Sequence, residues 1–113
     1  MAIDFTLSPE QKALQAGARA FGREVLTQVK AAIAPFATPE ERFFATKPFY
    51  AQFAKAGFVH SLFPKAYGGA GVSALDFAIA AEELTSVDVN VPTTLLATGL
   101  GMEPIVGCAT EAQ

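Results

Sequence analysis

Apolar side chains recur every three or four residues over the first third of the chain, with most charged residues between them. This spacing is typical of an amphipathic α-helix whose apolar stripe faces a core. A helix-start signal precedes the stripe: Ser8 can cap a helix, Pro9 suits its first position, and Gln11 can complete a capping box. The pattern predicts one long helix that ends near Pro35.

The middle of the chain predicts short helices separated by glycine. Residues 38–41 repeat the order of cap, proline and acidic third position, and Lys47-Pro48 begins another helix. We expect that helix to stop at Gly57, because glycine readily adopts the left-handed conformation that closes helices. Residues 58–64 are expected to be extended or irregular, and the glycine-rich residues 67–71 to form a turn.

The last third predicts further helices. Residues 73–76 carry the cap spacing again, followed by a helix that ends near Val87. Pro92 suits the first turn of a nearly uncharged helix to about Leu100, and Pro104 is expected to open another short one.

These patterns predict an all-α fold of five to six helices, with strand pairing left open only in residues 58–63. A length of 113 residues corresponds to one domain at most. Hydrophobic residues make up 51% and charged residues only 17%, whereas about 25% charged is typical of soluble domains. We therefore expect some apolar faces, notably those of Val25, Phe53 and Leu84, to pack on protein parts outside this sequence.

Charge, apolar run length and cysteine count limit the partners and the cellular compartment that we expect. The net charge is −3 and the basic residues are scattered singly, so nucleic acid is not expected as a partner. The longest charge-free run, between Asp88 and Glu103, is shorter than the roughly 20 apolar residues of a membrane span. No secretory signal is recognisable, and a lone Cys108 excludes an intrachain disulfide. We expect a cytoplasmic protein that does not enter a membrane.

Groups that catalyse reactions or bind metals are scarce. His60 is the only histidine, and we interpret it as a partly buried, hydrogen-bonded structural residue. Cys108 is interpreted as an inert, buried thiol, and no metal-ligand spacing is present. Glu82 and Glu83 point about 100° apart on a helix, so they do not share a site. Residues 68–71 lack the complete spacing of a phosphate-binding loop. The residues alone therefore predict no catalytic, cofactor-binding or metal site.

Six groups of residues nevertheless form an ordered set along the chain: Asp4–Gln11, Ala20–Leu26, Phe49–Phe58, Phe63–Gly71, Glu82–Asp88 and Leu100–Gln113. Together they resemble the N-terminal helical domain of the acyl-CoA dehydrogenase family. The resemblance covers residues 1–113 and implies a chain truncated before a middle β-domain. One departure is Phe43-Phe44-Ala45-Thr46, which is less polar than is usual in the family.

The resemblance implies a longer flavoenzyme with a β-domain and a C-terminal helical domain, usually assembled as a homo-oligomer. Such enzymes oxidise acyl-CoA thioesters: a glutamate removes the α-proton while the β-hydride passes to FAD. That base and most flavin contacts would lie beyond Gln113. We therefore expect no FAD on this chain alone, and we expect it to need the missing domains or a partner chain.

The resemblance also implies that the helix beginning around Pro92 forms one wall of the acyl pocket. Carried over by position, Pro92, Thr93, Leu96 and Leu100 would line it. The helix is small and apolar, as a hydrocarbon pocket requires. The alternative interpretation is that these four residues belong to an ordinary core.

Two other functions stay open. The same domain occurs in related flavin monooxygenases and nitroalkane oxidases, which differ mainly in parts that this chain lacks. A stand-alone helical binding module that self-associates through its apolar faces is the third hypothesis.

Overall fold

The computed structural model describes residues 3–113, and all the regular structure in that range is helical. The all-α prediction is confirmed, and no strand is found in those residues. Two short 3₁₀ turns occur, at Leu26–Gln28 and Lys65–Tyr67. The helices are α1 (Pro9–Glu24), α2 (Val29–Ile33), α3 (Pro39–Ala45), α4 (Lys47–Lys55), α5 (Phe58–Ser61), α6 (Ala74–Thr85) and α7 (Asn90–Cys108).

The predicted helix starts are confirmed at α1, α3 and α6. The Ser8 hydroxyl accepts the Gln11 N–H at 3.1 Å, and the Gln11 side chain accepts the Ser8 N–H at 3.0 Å. Thr38 and Glu41 form the same reciprocal box at the start of α3. These bonds satisfy backbone donors that have no partner inside the helix.

The core lies between α1, α4, α6 and α7, and the most extensive helix pairing is that of α1 with α6. Val25, Phe53 and Leu84 are 8%, 0% and 1% exposed. The expectation that these faces pack on parts outside the sequence is therefore wrong. They are buried by the domain's own helices, and the exposed apolar side chains lie elsewhere.

The first helix is interrupted just after Glu24, so the prediction of a single long helix is wrong. The Thr27 hydroxyl donates to the Arg23 carbonyl at 2.9 Å and competes there with the helical backbone bond. Val25, which precedes the 3₁₀ turn, and Leu26, its first residue, are both buried.

Residues 58–61 form the short helix α5, and the expectation of extended or irregular chain is wrong for them. Gly57 has φ +91°, as expected for a helix stop, but the chain resumes a helix at once. The Ser61 N–H donates to the Gly57 carbonyl at 2.9 Å. Helix α5 packs Phe58 against Phe21 and Phe53, with ring centroids 5.1 and 5.2 Å away.

The glycine-rich turn predicted at residues 67–71 is confirmed, and it folds back over α5. Gly68 has φ +83°, and the Gly71 N–H donates to the Phe63 carbonyl at 2.9 Å. A Cβ on Gly69 would lie 2.0 Å from that same carbonyl oxygen. Backbone contact this close requires glycine, so the turn explains these residues without a ligand.

A single helix, α7, runs through Pro104, so the prediction of a separate helix starting there is wrong. Proline removes the N–H that would bond the Leu100 carbonyl. Leu100 and Pro104 are both exposed. The interruption is tolerated because it lies at the surface.

Among residues 3–113, none of the helices combines the length and apolarity needed to cross a membrane.

Candidate functional site: the outer face of α7

The N-terminal turn of α7 is anchored in the core. The Asp88 carboxylate accepts the Val91 N–H at 2.9 Å, which satisfies one free donor of the first turn. Val91, Pro92 and Leu95 are buried. The inner face of the helix is therefore fixed, and its outer face is left open to solvent.

The structure does not bring the four predicted pocket residues together. Pro92 is fully buried on the inner face. Thr93 is exposed and lines a depression beside α3. Leu96 and Leu100, 36% and 77% exposed, line a separate groove beside α6.

We name the first depression the α3/α7 groove. It has two adjoining parts, of about 520 and 580 Å³, which share Phe43, Thr46, Thr94 and Ala97. Phe43 and Phe44 are more than half exposed and meet edge to face, with ring centroids 5.7 Å apart. An exposed aromatic pair beside a helix is a surface suited to an apolar occupant.

Two hydroxyl groups, those of Tyr50 and Thr98, meet at the α3/α7 groove. The Thr98 hydroxyl donates to the Thr94 carbonyl at 2.9 Å, which uses its single proton. The Tyr50 hydroxyl, 2.8 Å from the Thr98 oxygen, must then be the donor in that bond. The Tyr50 oxygen keeps its acceptor capacity.

Sequence reasoning did not single out Tyr50, Thr94 or Thr98. The available signal was the i, i+4 spacing of the two threonines on an otherwise apolar helix. Tyr50 lies 48 positions away from Thr98 and could be placed beside it only by the packing of α4 on α7.

We name the second depression the α6/α7 groove, with a volume of about 420 Å³. Its lining is mostly hydrocarbon, with Ser73 as a polar residue and Glu103 as the one charged residue. The lining residues are Leu62, Val72, Ser73, Ala74, Phe77, Leu96, Gly99, Leu100, Met102, Glu103 and Val106.

The titratable residues singled out in the sequence do not form a site. His60 and Cys108 are exposed, so the predictions that they are partly buried and buried are wrong. Glu82 is exposed, while Glu83 forms two hydrogen bonds with the Arg19 guanidinium, of 2.6 and 2.8 Å. Within residues 3–113, no group of three or more His, Cys, Asp or Glu side chains is placed to hold a metal ion.

The comparisons with known proteins agree with this architecture. The family described as "Acyl-CoA dehydrogenase, N-terminal domain" matches residues 8–113. The chain belongs to the acyl-CoA dehydrogenase family. The matched region contains α1 to α7, including both grooves.

Two curated relatives of this acyl-CoA dehydrogenase domain are nitroalkane oxidases. That of Fusarium oxysporum is 35% identical over 106 residues, which cover 94% of this chain and 24% of the relative. That of Podospora anserina is 37% identical over 107 residues, covering 93% and 25%. The chain therefore spans about a quarter of the length of the curated relatives it matches.

Solved structures give the same result. A nitroalkane oxidase active-site variant crystallised with 1-nitrooctane is 34% identical, with a TM-score of 0.92 over 97% of this chain and 26% of that one. The Podospora anserina nitroalkane oxidase is 36% identical, with a TM-score of 0.88 and the same coverage. Another solved relative is described as a flavoprotein.

Proposed function

We propose that this chain is the N-terminal domain of a flavin-dependent oxidoreductase that acts on nitroalkanes, and that the outer face of α7 forms one wall of its substrate pocket. The observation that carries the proposal is the 34–37% identity to nitroalkane oxidases across nearly the whole domain. One of those relatives was crystallised with 1-nitrooctane, a ligand that is mostly hydrocarbon.

The chemistry of the α6/α7 groove supports a wall that contacts a substrate's hydrocarbon chain. Leu96 and Leu100 present exposed hydrocarbon, and burying it against an alkyl chain is favoured by about 25 cal/mol per Å². In this proposal Thr93 contributes on the side of the α3/α7 groove. Pro92 has a positioning role, because it is buried beneath the helix and cannot touch a ligand on the outer face.

Both grooves are open on one side. The α6/α7 groove offers no cation to a flavin pyrophosphate, because Glu103 is its one charged residue. The α3/α7 groove carries two cations, Arg42 and Lys47, and no carboxylate. FAD, bound in the complete enzyme, would supply the redox chemistry. This domain's own residues would shape the space beside the reacting carbon and exclude water from it.

A second candidate is acyl-CoA dehydrogenation, the activity for which the family is named. It requires the same apolar wall, so the grooves do not favour one substrate class over the other. The proposal for nitroalkanes rests on the sequence identity to nitroalkane oxidases. The two candidates are separated by testing which parent enzyme this domain fits.

A symmetrical domain exchange tests the proposal. In one chimera residues 8–113 replace the matching quarter of Fusarium oxysporum nitroalkane oxidase, and in the other they replace the N-terminal domain of an acyl-CoA dehydrogenase. Flavin content and kcat/KM, on 1-nitrooctane and on an acyl-CoA, are compared with the two parent enzymes.

We expect the nitroalkane oxidase chimera to retain flavin and kcat/KM within about tenfold, a loss of about 1.4 kcal/mol in transition-state stabilisation. The acyl-CoA dehydrogenase chimera is expected to lose much more. The reverse ranking would favour acyl-CoA as substrate. Loss of flavin in both, with an isolated chain that is a stable dimer, would favour the self-associating module.

A further inference from the structure

A separate cavity lies between α1, α5 and α6 and opens to solvent on one side, where Gly17 is exposed. Its volume is about 340 Å³, within the range of small-molecule sites. Leu14, Phe21, Phe58 and Phe77 give it apolar walls. Val72 and Phe77 also line the α6/α7 groove, so these two side chains separate the cavity from Leu96 and Leu100.

The lining contains two polar side chains: Ser61, whose hydroxyl donates to the Phe58 carbonyl at 2.6 Å, and one carboxylate. Asp76 is partly buried, and one of its oxygens accepts the Gln11 side-chain amide at 3.2 Å. A carboxylate has about four lone-pair sites, so Asp76 has capacity for further donors. No other charged residue lines the cavity. The charge at this position therefore favours a cationic group over an anionic one.

The glycine at position 17 gives a second, independent observation about this cavity. It lies inside α1, where glycine costs about 1 kcal/mol relative to alanine. A Cβ added there would meet nothing within 4 Å, so no contact in this chain requires glycine. Gly17 lines the cavity, and a larger side chain at this position would reduce the space.

We propose that this cavity binds a linear alkylammonium, with the hydrocarbon chain among the phenylalanines and the ammonium on Asp76. The volume is about twice that of an engineered cavity of about 150 Å³ that holds one benzene, which allows a chain of about eight carbons. The ammonium supplies the charge-assisted hydrogen bond that the half-used carboxylate accepts. This site does not depend on the function proposed for α7.

The test uses the 113-residue chain, after a cooperative melting curve has established that it folds on its own, and three probes below their micellar concentrations: n-octylammonium, 1-octanol and octanoate. Binding is followed by backbone amide chemical shifts and by calorimetry. We expect n-octylammonium to bind with a submillimolar Kd and to shift the amides of Gly17, Phe58 and Ala80. Octanol should bind about tenfold more weakly, because it lacks the charge-assisted bond. Octanoate should not bind.

Two variants separate the parts of the site. Asp76→Asn keeps the shape of the side chain and should make n-octylammonium bind no better than octanol. Gly17→Leu should abolish binding of both. Its matched control is Gly101→Leu, at a helical glycine that also has open space around a Cβ but lines no cavity; this variant should bind normally.

Melting temperatures of the variants establish that each one folds. The proposal is overturned if n-octylammonium fails to bind the folded wild-type chain. It is equally overturned if Gly17→Leu binds as tightly as Gly101→Leu, or if Asp76→Asn retains the preference for ammonium, since the cation would then be attracted only by the net negative surface.

Discussion

At the scale of single residues, the Arg19–Glu83 pair joins α1 to α6 across their main contact. The two hydrogen bonds from the Arg19 guanidinium hold the pKa of Glu83 below its ordinary value of 4.5, and the positive charge of Arg19 acts in the same direction. Glu83 keeps 13% of its side chain exposed, whereas Arg19 keeps 48%, so the pair is partly screened by water.

The Arg19–Glu83 pair makes the free energy of unfolding depend on pH in the acid range. Since the folded-state pKa is below the unfolded-state value, the contribution is complete above about pH 4.5 and is lost as pH falls through the folded-state pKa. We expect Glu83→Gln to melt below the wild type near neutral pH, and the difference to vanish in acid. Melting curves over a pH series measure this.

Glu82→Gln is the matched control, because Glu82 is the exposed neighbour and its carboxylate has no hydrogen-bond or ion-pair partner among the described residues. Its melting temperature should follow that of the wild type at every pH. A Glu83→Gln difference that persists unchanged in acid would mean that the ion pair is not its cause.

Leu96 gives a residue-scale prediction for the proposed pocket. In the active chimera, Leu96→Phe should shift the preferred nitroalkane to a shorter chain, because the larger ring fills part of the α6/α7 groove. The measurement is kcat/KM over a series of linear substrates. Leu75→Phe, on an exposed α6 position outside the grooves, should leave the series unchanged. If both variants gave the same dependence of kcat/KM on chain length, Leu96 would not line the pocket.

At the scale of elements, α7 is the helix whose continuity matters most, because one face packs in the core and the other lines both grooves. Pro104 lies inside it and removes one backbone hydrogen bond. We expect Pro104→Ala to stabilise the C-terminal half of α7 by up to about 3 kcal/mol. Amide hydrogen exchange of residues 105–108 measures the change directly.

Pro39→Ala provides the comparison for that prediction. Pro39 is exposed at the first position of α3, where its missing N–H has no intrahelical partner in any case. This variant should produce no gain in protection. If Pro104→Ala also produced none, the C-terminal half of α7 would not be limited by the proline.

At the scale of the whole molecule, residues 3–113 form a core of their own, and the sequence predicts no catalytic or flavin-binding site in them. We expect the isolated 113-residue chain to bind no FAD and to oxidise neither nitroalkanes nor acyl-CoA. Gel filtration followed by flavin absorbance tests this. A stoichiometric yellow chromophore on the isolated chain would contradict the prediction.

Local signals decided much of the fold in advance. The caps at Ser8, Thr38 and Ser73 each act on a backbone group three residues away, so they can be read without knowing the rest of the molecule. The stop at Gly57 is equally local, since only its own φ is involved. The family could also be recognised, because its residues keep their order along the chain.

Packing decided what those signals could not. The periodic spacing places Val25, Phe53 and Leu84 on apolar helix faces. Only the assembled helices determine whether those faces are covered by this domain or by another. Pro92 and Leu96 both belong to α7, yet one is buried and the other lines a groove, because the helix rests on the core along one side only. The Tyr50–Thr98 hydrogen bond and the cavity beside Gly17 join residues far apart in sequence, and such contacts arise only when the tertiary fold brings them together.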